Sequence, residues 1–553
     1  MKTGIAGAVL ALALAACATL SPAPTGDAAG VIAPEVLLGH IRILSSDRFE
    51  GRGPGTAGEK LTVDYLINQF RLLGLKPGNP DGTYVQDVPL VGIKGKAHAA
   101  VTVKGKALRL KEPEDCVLGS RRFTVDVAVK ASDLVFVGYG VVAPEYHWDD
   151  YKGMDVRGKT LVMLVNDPPV ADRSGKLDDD YFHGKAMTYY GRWTYKFEIG
   201  SEKGAAAVLI VHETGPAGYP WHVVSSSWAQ EEFDIDAPGG NKGRVPVEGW
   251  ITEERARQMF KMAGLSFDDL KRAAASKDFK PVKLSGKASF TVHNEVRHVK
   301  SKNVVARVEG ADAELKDQYV IHTAHWDHLG RDPNKQGDQI YNGAVDNASG
   351  TAGLLELARA YTKLPKPPRR SILFVAVTSE EKGLLGSKWY ATHPLYPLEK
   401  TVAEFNLDGV NPWGRTSDLV VVGKGQSTLE DALESALSRQ GREMVADPEP
   451  EKGFYYRSDQ FEFAKVGVPA LFINPGTKYV GQAASYGRQK RDDYTAHDYH
   501  QVSDEIKPDW DLSGGVQDLQ ALFDASASVA DTSRYPSWKS GSEFKARREA
   551  MLK

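Results

Sequence analysis

The chain has 553 residues, 42% of them hydrophobic and 25% charged, with a formal net charge of −3. That length exceeds one hydrophobic core and implies two or three domains. The near-neutral balance, without a clustered Lys/Arg stripe, excludes the electrostatic footprint of a nucleic-acid-binding protein.

Residues 1–16 read as an export signal: Lys2, then an apolar run from Ile5 to Ala16, too short to span a bilayer. Leu14-Ala15-Ala16-Cys17 resembles a bacterial lipobox, which makes Cys17 the expected lipidated first residue of the mature protein. A plain signal peptide cut near Ala16 is the alternative. The lipobox reading predicts an exported lipoprotein facing the periplasm, held to the outer membrane by its N-terminal lipid. Residues 17–33 then form a tether rich in Ala, Pro and Gly. Cys116 is the only other cysteine, so no intramolecular disulfide is expected once Cys17 carries lipid.

Residues 34–114 begin with two helical stripes, Leu37, Leu38, Ile41 and Leu44, then Leu61, Tyr65, Leu66 and Phe70. The Gly-rich stretch Ser46–Gly55 between them lacks the preceding strand and the lysine of a phosphate cradle, and reads as a structural loop. Residues 115–290 change to short β-rich runs separated by Gly/Pro/Asp-rich loops and read as an inserted, non-catalytic domain. Core packing is the expected role of most of its tryptophans, Trp148, Trp193, Trp221 and Trp228, with some left to line a surface near the site.

Residues 291–535 alternate strands and helices, with apolar runs at 304–308, 319–321, 372–377, 419–422 and 470–473. This predicts an α/β fold with a mixed, largely parallel central sheet flanked by helices. Residues 536–553 read as a solvated tail.

The chemistry gathers at the expected strand ends. His325-Trp326-Asp327, Gly343-Ala344-Val345-Asp346-Asn347, Ser379-Glu380-Glu381, Asn406-Leu407-Asp408-Gly409 and Tyr499-His500 each carry an acid or imidazole. Singly each has a bland reading: a helix-capping Asp346, a surface His500. Together, two imidazoles and three carboxylates, with a fourth carboxylate left over, suit two divalent zinc-like cations around one shared carboxylate. Asp327, two residues beyond His325, is placed to take the ring N–H of that histidine. His322, His328, His393 and His497 have no partner at ligand spacing and read as structural.

In this order the signatures resemble the zinc aminopeptidase family that includes bacterial leucyl-type aminopeptidases and glutamate carboxypeptidase II. Leu44–Gly58, Phe136–Gly140, Asp150–Lys159, Arg457-Ser458-Asp459-Gln460 and Gly467–Ala470 extend the resemblance over nearly all of the mature chain. Phe136–Gly140 and Asp150–Lys159 are similar to the family's inserted protease-associated domain. The resemblance implies two zinc ions, one on His325 and Asp408, the other on Glu381 and His500, with Asp346 bridging and a cis peptide after it. Cobalt or manganese would suit the same ligands. It makes Glu380 the general base on peptide substrates and Asp327 an orienting acid. Tyr499 would stabilise the oxyanion, with Tyr479 or Tyr456 as substitutes. Arg457 would reach a substrate carboxylate or pair with Asp459, and Tyr479 falls in the loops, 474–487, that build the specificity pocket.

Carboxypeptidase or dipeptidase action on the same fold is the alternative. A silent receptor-like binding protein and a one-metal glutaminyl cyclase fit less well, because the ligand set and the base are complete. One convincing helix, near Val516–Val529, follows His500, too little for a helical dimerisation domain, so a monomer is expected.

Overall fold

The computed structural model describes residues 27–228 and 230–553. The export signal and Cys17 lie outside the described residues, and no described helix is long and apolar enough to cross a membrane.

Across the C-terminal half the sheet runs Glu443–Ala446, Asp418–Val422, Ala470–Asn474, Thr401–Leu407, Tyr319–His325, Ser371–Val377 and Val282–Val308. Tyr319–His325 is parallel to both of its neighbours, Ser371–Val377 and Thr401–Leu407. All three are buried at every position, which is why they appear in the sequence as unbroken apolar runs. Alternate side chains go to opposite faces. Val320, Phe374 and Phe405 pack with the helices Pro34–Leu44, Ala57–Leu72, Gly350–Tyr361 and Ser513–Ala530. Ile321, Leu373 and Val375 pack with Tyr390 and Phe463 on the other face.

One strand of 27 residues, Val282–Val308, belongs to both halves of the molecule. Its end, Val304–Val308, pairs with Ser371–Val377; its start pairs with Asp126–Phe136. Val85–Val103 runs antiparallel to it from Gly286 to Val304. The chain thus leaves on one strand of a long ribbon and returns on the other. Between them lie apolar clusters built from Thr160–Leu164, Ala207–His212 and Val247–Thr252. This segment is less purely β than its sequence texture predicts, for it also holds the helices Trp193–Glu202, Glu253–Ala263 and Phe267–Ala274. Glu253–Ala263 buries Ala256, Met259, Phe260 and Ala263 along one stripe and is capped by Thr252.

The C-terminal tail is not a solvated end. Trp538 and Phe544 are buried with Tyr455, Phe461 and Phe472. The Trp538 indole donates to Gly467 O at 2.9 Å, and Arg548 donates to Leu398 O and Thr401 O. The apolar rings outweigh the basic residues around them. Trp538→Ala is expected to cost about 3–5 kcal/mol of stability, measured as a lowered denaturation midpoint.

Candidate metal centre

Because Tyr319–His325, Ser371–Val377 and Thr401–Leu407 are parallel neighbours, their carboxyl ends open on one edge of the sheet. Ala324 is in register with Leu407, so the next residues, His325 and Asp408, face each other. His325 Nε2 lies 3.1 Å from Asp408 Oδ1. Ser371–Val377 delivers Glu380 and Glu381 after a two-residue turn in which Ser379 takes a left-handed conformation.

Asp346 comes from the irregular turn before the helix Gly350–Tyr361, and its bond to Asn347 is cis. Asn347 ties this turn to the end of Thr401–Leu407. Its Nδ2 donates to Leu407 O at 3.0 Å and its Oδ1 accepts from Gly409 N at 2.8 Å. A Cβ at Gly343, where φ is +55°, would sit 2.1 Å from Asp346 O, so only glycine fits. His500 follows the helix Tyr486–His497, an element absent from the sequence reading.

The two oxygens of Asp346 face different histidines. Oδ1 is 3.4 Å from His325 Nε2, and Oδ2 is 3.3 Å from His500 Nε2. His500 Nε2 is also 3.0 Å from Glu381 Oε2. It is buried yet has no hydrogen bond of good geometry among the described residues. One donor atom each from His325, Asp346 and Glu381 lies within 4.8 Å of the others. Imidazole nitrogens and carboxylate oxygens converging on one buried spot are the donor set of a divalent transition-metal cation, and the residues fit such an ion.

The electrostatics point the same way. Burial drives Glu380 well above the usual carboxylate range, and Asp408, Glu381 and Asp459 add to it against the pull of His325. Burial and Asp346 push Glu381 up, but His500 and His328 outweigh them and bring it down to about 2. Burial alone would lower His500; Glu381 and Asp346 instead raise it to about 10.

Around these groups the structure departs from the sequence reading in several places. The ring nitrogen Nδ1 of His325 meets the Asp327 backbone carbonyl at 3.2 Å, whereas the Asp327 carboxylate stands at 3.8 Å. That carboxylate instead accepts from the Glu380 backbone N–H at 3.1 Å and so positions the Glu380–Glu381 turn. His328 is not merely structural: its Nδ1 lies 2.6 Å from Glu381 Oε1. Tyr479 lies away from the centre, its hydroxyl donating to Asn411 Oδ1 at 3.1 Å and its ring against Tyr486. Arg457 does not pair with Asp459, whose carboxylate accepts from Ser387 Oγ at 2.5 Å. Tyr456 lines the cleft, but its hydroxyl is engaged with Glu543 at 2.8 Å. The Tyr499 ring lies tilted against the His500 ring, centroids 4.0 Å apart, and its hydroxyl makes no hydrogen bond to any described residue.

Three supporting residues escaped the sequence reading. Arg52, fully buried in the Gly-rich loop, donates to Leu44 O, Trp326 O, Asn342 O and Gly343 O, lashing together the turns that carry His325 and Asp346. Asp504 accepts from Val345 N and Asp346 N at 3.0 and 3.1 Å. Ser227, from the inserted segment, reaches His500 Nδ1 at 3.0 Å. Only the Gly-rich loop gave any hint in the sequence, since a charged residue there needs partners.

Two lobes of one cleft meet at Glu380, Tyr499, Tyr219 and Arg457. One is apolar, with Val345, Val410, Trp413, Phe454 and Phe472, and Asn474 at its edge. The other is polar and includes Arg192, Lys382, Trp193 and Trp228. Trp148 packs in the core of the inserted segment, and Trp221 bonds Pro113 O.

With this geometry in view, residues 303–523 match the profile of Peptidase family M28. Those residues form an M28 peptidase domain. A stretch of 184 residues is 31% identical to Aminopeptidase YwaD of Bacillus subtilis, covering 33% of this chain and 32% of that protein. A stretch of 123 residues is 39% identical to mouse Aminopeptidase NAALADL1, covering 21% of this chain and 15% of that one. The matched stretches thus span less than a third of these relatives. The fold is shared over 94% of the chain with the aminopeptidase from Aneurinibacillus sp. strain AM-1, covering 97% of that chain, with a TM-score of 0.52 at 19% identity.

Two predictions follow from the M28 site. Burial holds Asp327 and Asp459 up at about 7 and Asp504 at about 6 in the ion-free protein. A carboxyl raised on folding stabilises below its unfolded pKa and ceases to as pH climbs through its folded value. The raised His500 acts in the same direction, its contribution fading as pH approaches about 10. Chelator-treated protein is therefore expected to melt progressively lower from pH 5 to pH 9, and metal-loaded protein to resist that fall, measured by calorimetry. Asp504→Asn, which loosens the Asp346 turn, is expected to weaken metal affinity about 10- to 100-fold, measured by competition with a chelating dye.

Proposed function

We propose that the protein is a two-zinc aminopeptidase that hydrolyses the N-terminal peptide bond of peptides. The observation that carries this reading is the division of Asp346: one oxygen faces His325, which itself sits beside Asp408, and the other faces His500, which itself sits beside Glu381. That makes two adjacent half-sites with a shared carboxylate. The zinc assignment draws support from relatives named as zinc metalloproteases and from the mixed imidazole and carboxylate donors. When bound, such ions polarise the scissile carbonyl and make a water more acidic.

Glu380 lies 3.9 Å from His325 Nε2 and lines both lobes of the cleft, which suits a base that takes the proton from the attacking water and returns it to the leaving amine. Its backbone is held by Asp327, so the carboxylate is presented at a fixed height above the centre. Burial and the nearby carboxylates keep the Tyr499 phenol well above its ordinary pKa, so it remains a hydrogen-bond donor toward a developing oxyanion. The apolar lobe suits the side chain of an N-terminal Leu, Phe or Met. We read the segment enclosed by the ribbon as the protease-associated insertion, its role being to wall the polar lobe. Export with lipid at Cys17, and a monomeric state, complete the reading on sequence grounds alone.

Zinc-loaded protein is expected to release chromophore from aminoacyl-p-nitroanilides with apolar residues foremost. Glu380→Gln is expected to lower kcat about 10²- to 10⁴-fold while two metal equivalents stay bound. Silence of the metal-loaded wild type toward every anilide would replace this reading with the carboxypeptidase or dipeptidase alternative.

A further inference from the structure

The inserted segment touches one side of the acid and imidazole cluster and leaves the other alone. Its helix Trp221–Trp228 lies against the loop that carries His500. Ser227 Oγ meets His500 Nδ1 at 3.0 Å, and Ser226 Oγ stands 3.2 Å from His500 O. The same helix end meets the chain beside Glu381, for the Lys382 ammonium donates to Ser227 O at 3.5 Å. Lys382 is buried; its carbonyl accepts from Arg121 at 3.4 Å, and its ammonium lies 3.8 Å from Glu232, both residues of the inserted segment. Among the described residues, no hydrogen bond or ion pair runs from residues 115–290 to His325 or Asp408.

The proton of Ser227 is already committed. Val223 O, one turn back on the same helix, accepts it at 2.8 Å, a common arrangement for serine inside a helix. A hydroxyl has one proton and two lone pairs, so Ser227 offers His500 a lone pair. Nδ1 then carries the hydrogen that points at Ser227, and Nε2 faces Asp346 and Glu381. A neutral ring held this way has its free electron pair on Nε2, the tautomer that a metal ion on that side requires. His325 finds the equivalent support inside its own segment, at Asp327 O. His500 finds it 273 positions away. The His500 backbone also needs holding. Its φ of +58° lies in the left-handed region that histidine seldom takes, and its carbonyl accepts from Gln501 Nε2 at 2.8 Å.

Resting on the two-metal reading, we propose that Ser227 is a positioning residue through which the inserted segment completes the His500 and Glu381 half-site. It does so by holding the His500 ring in its metal-binding tautomer. The two half-sites then depend on different things. The one at His325 and Asp408 is assembled by the sheet; the one at His500 and Glu381 is complete only with the inserted helix seated. By reciprocity, an ion in that second half-site fastens the helix Trp221–Trp228 to the M28 domain.

The test titrates zinc into chelator-stripped full-length protein in competition with a chelating dye. The wild type is expected to take up two equivalents. Ser227→Ala is expected to weaken one of them about 10- to 100-fold and to leave the other as it was. Ser227→Thr, which keeps the hydroxyl, is expected to restore the weakened one. Ser225→Ala, on the same helix but with a hydroxyl that donates to His222 O at 3.2 Å, checks helix integrity and is expected to match the wild type. Zinc is also expected to slow amide hydrogen exchange across residues 221–228 in the wild type, and to do so less in Ser227→Ala. Unchanged affinity of both equivalents in Ser227→Ala, equal weakening of both, or the same loss in Ser225→Ala would overturn the proposal. Uptake of a single equivalent by the wild type would instead remove the two-metal reading, and the role of Ser227 would then stand or fall on whether Ser227→Ala weakens that one ion.

Discussion

The structure is organised around buried negative charge. Asp346, Glu380, Glu381 and Asp408 converge at one edge of the sheet, with Asp327, Asp459 and Asp504 close behind. Carboxylates at this density in a low-dielectric setting repel one another unless cations or protons intervene. The chain itself supplies compensating groups, among them His325, His328, His500 and the buried guanidinium of Arg52. The remainder is charge that bound divalent metal would neutralise. Local strain and the dense hydrogen bonding of the surrounding turns are secondary to that requirement.

Holding such a cluster needs stiffness, and the scaffold provides it in two ways. His325, Glu380, Glu381 and Asp408 stand at or just past the ends of parallel, fully buried strands, where the register of the sheet sets their spacing. Asp346 and His500 lie on turns, and turns need ties. Asn347, Asp504 and Arg52 supply these by bonding backbone groups rather than the ligand side chains. The clustered carboxylates therefore keep their oxygens turned to the histidines while their main chains are fixed elsewhere.

The ribbon Val85–Val103 and Val282–Val308 gives the centre its second wall. By carrying the inserted segment out of and back into the sheet, it brings Ser226 and Ser227 onto His500 and Ala217 onto Arg457. The cleft accordingly joins an apolar lobe drawn mostly from the M28 domain to a polar lobe shared with the insertion.

The sequence by itself determined the central strands, the flanking helices and the converging acids and imidazoles. Those strands are buried on both faces and so carry unmistakable apolar runs, and His325, Glu380, Glu381 and Asp408 sit at or just past where such runs stop. It misjudged the tail at Trp538, the helices of the insertion and the part played by His328. For Trp538 and His328, short-range composition was overruled by a partner more than 50 positions away, Gly467 and Glu381. Nor did the sequence reveal Arg52, Asp504 or Ser227, whose significance depends on which carbonyls, amides or ring nitrogens they meet. Only tertiary structure decided those, because a polar group acquires its role from the partners that burial leaves it.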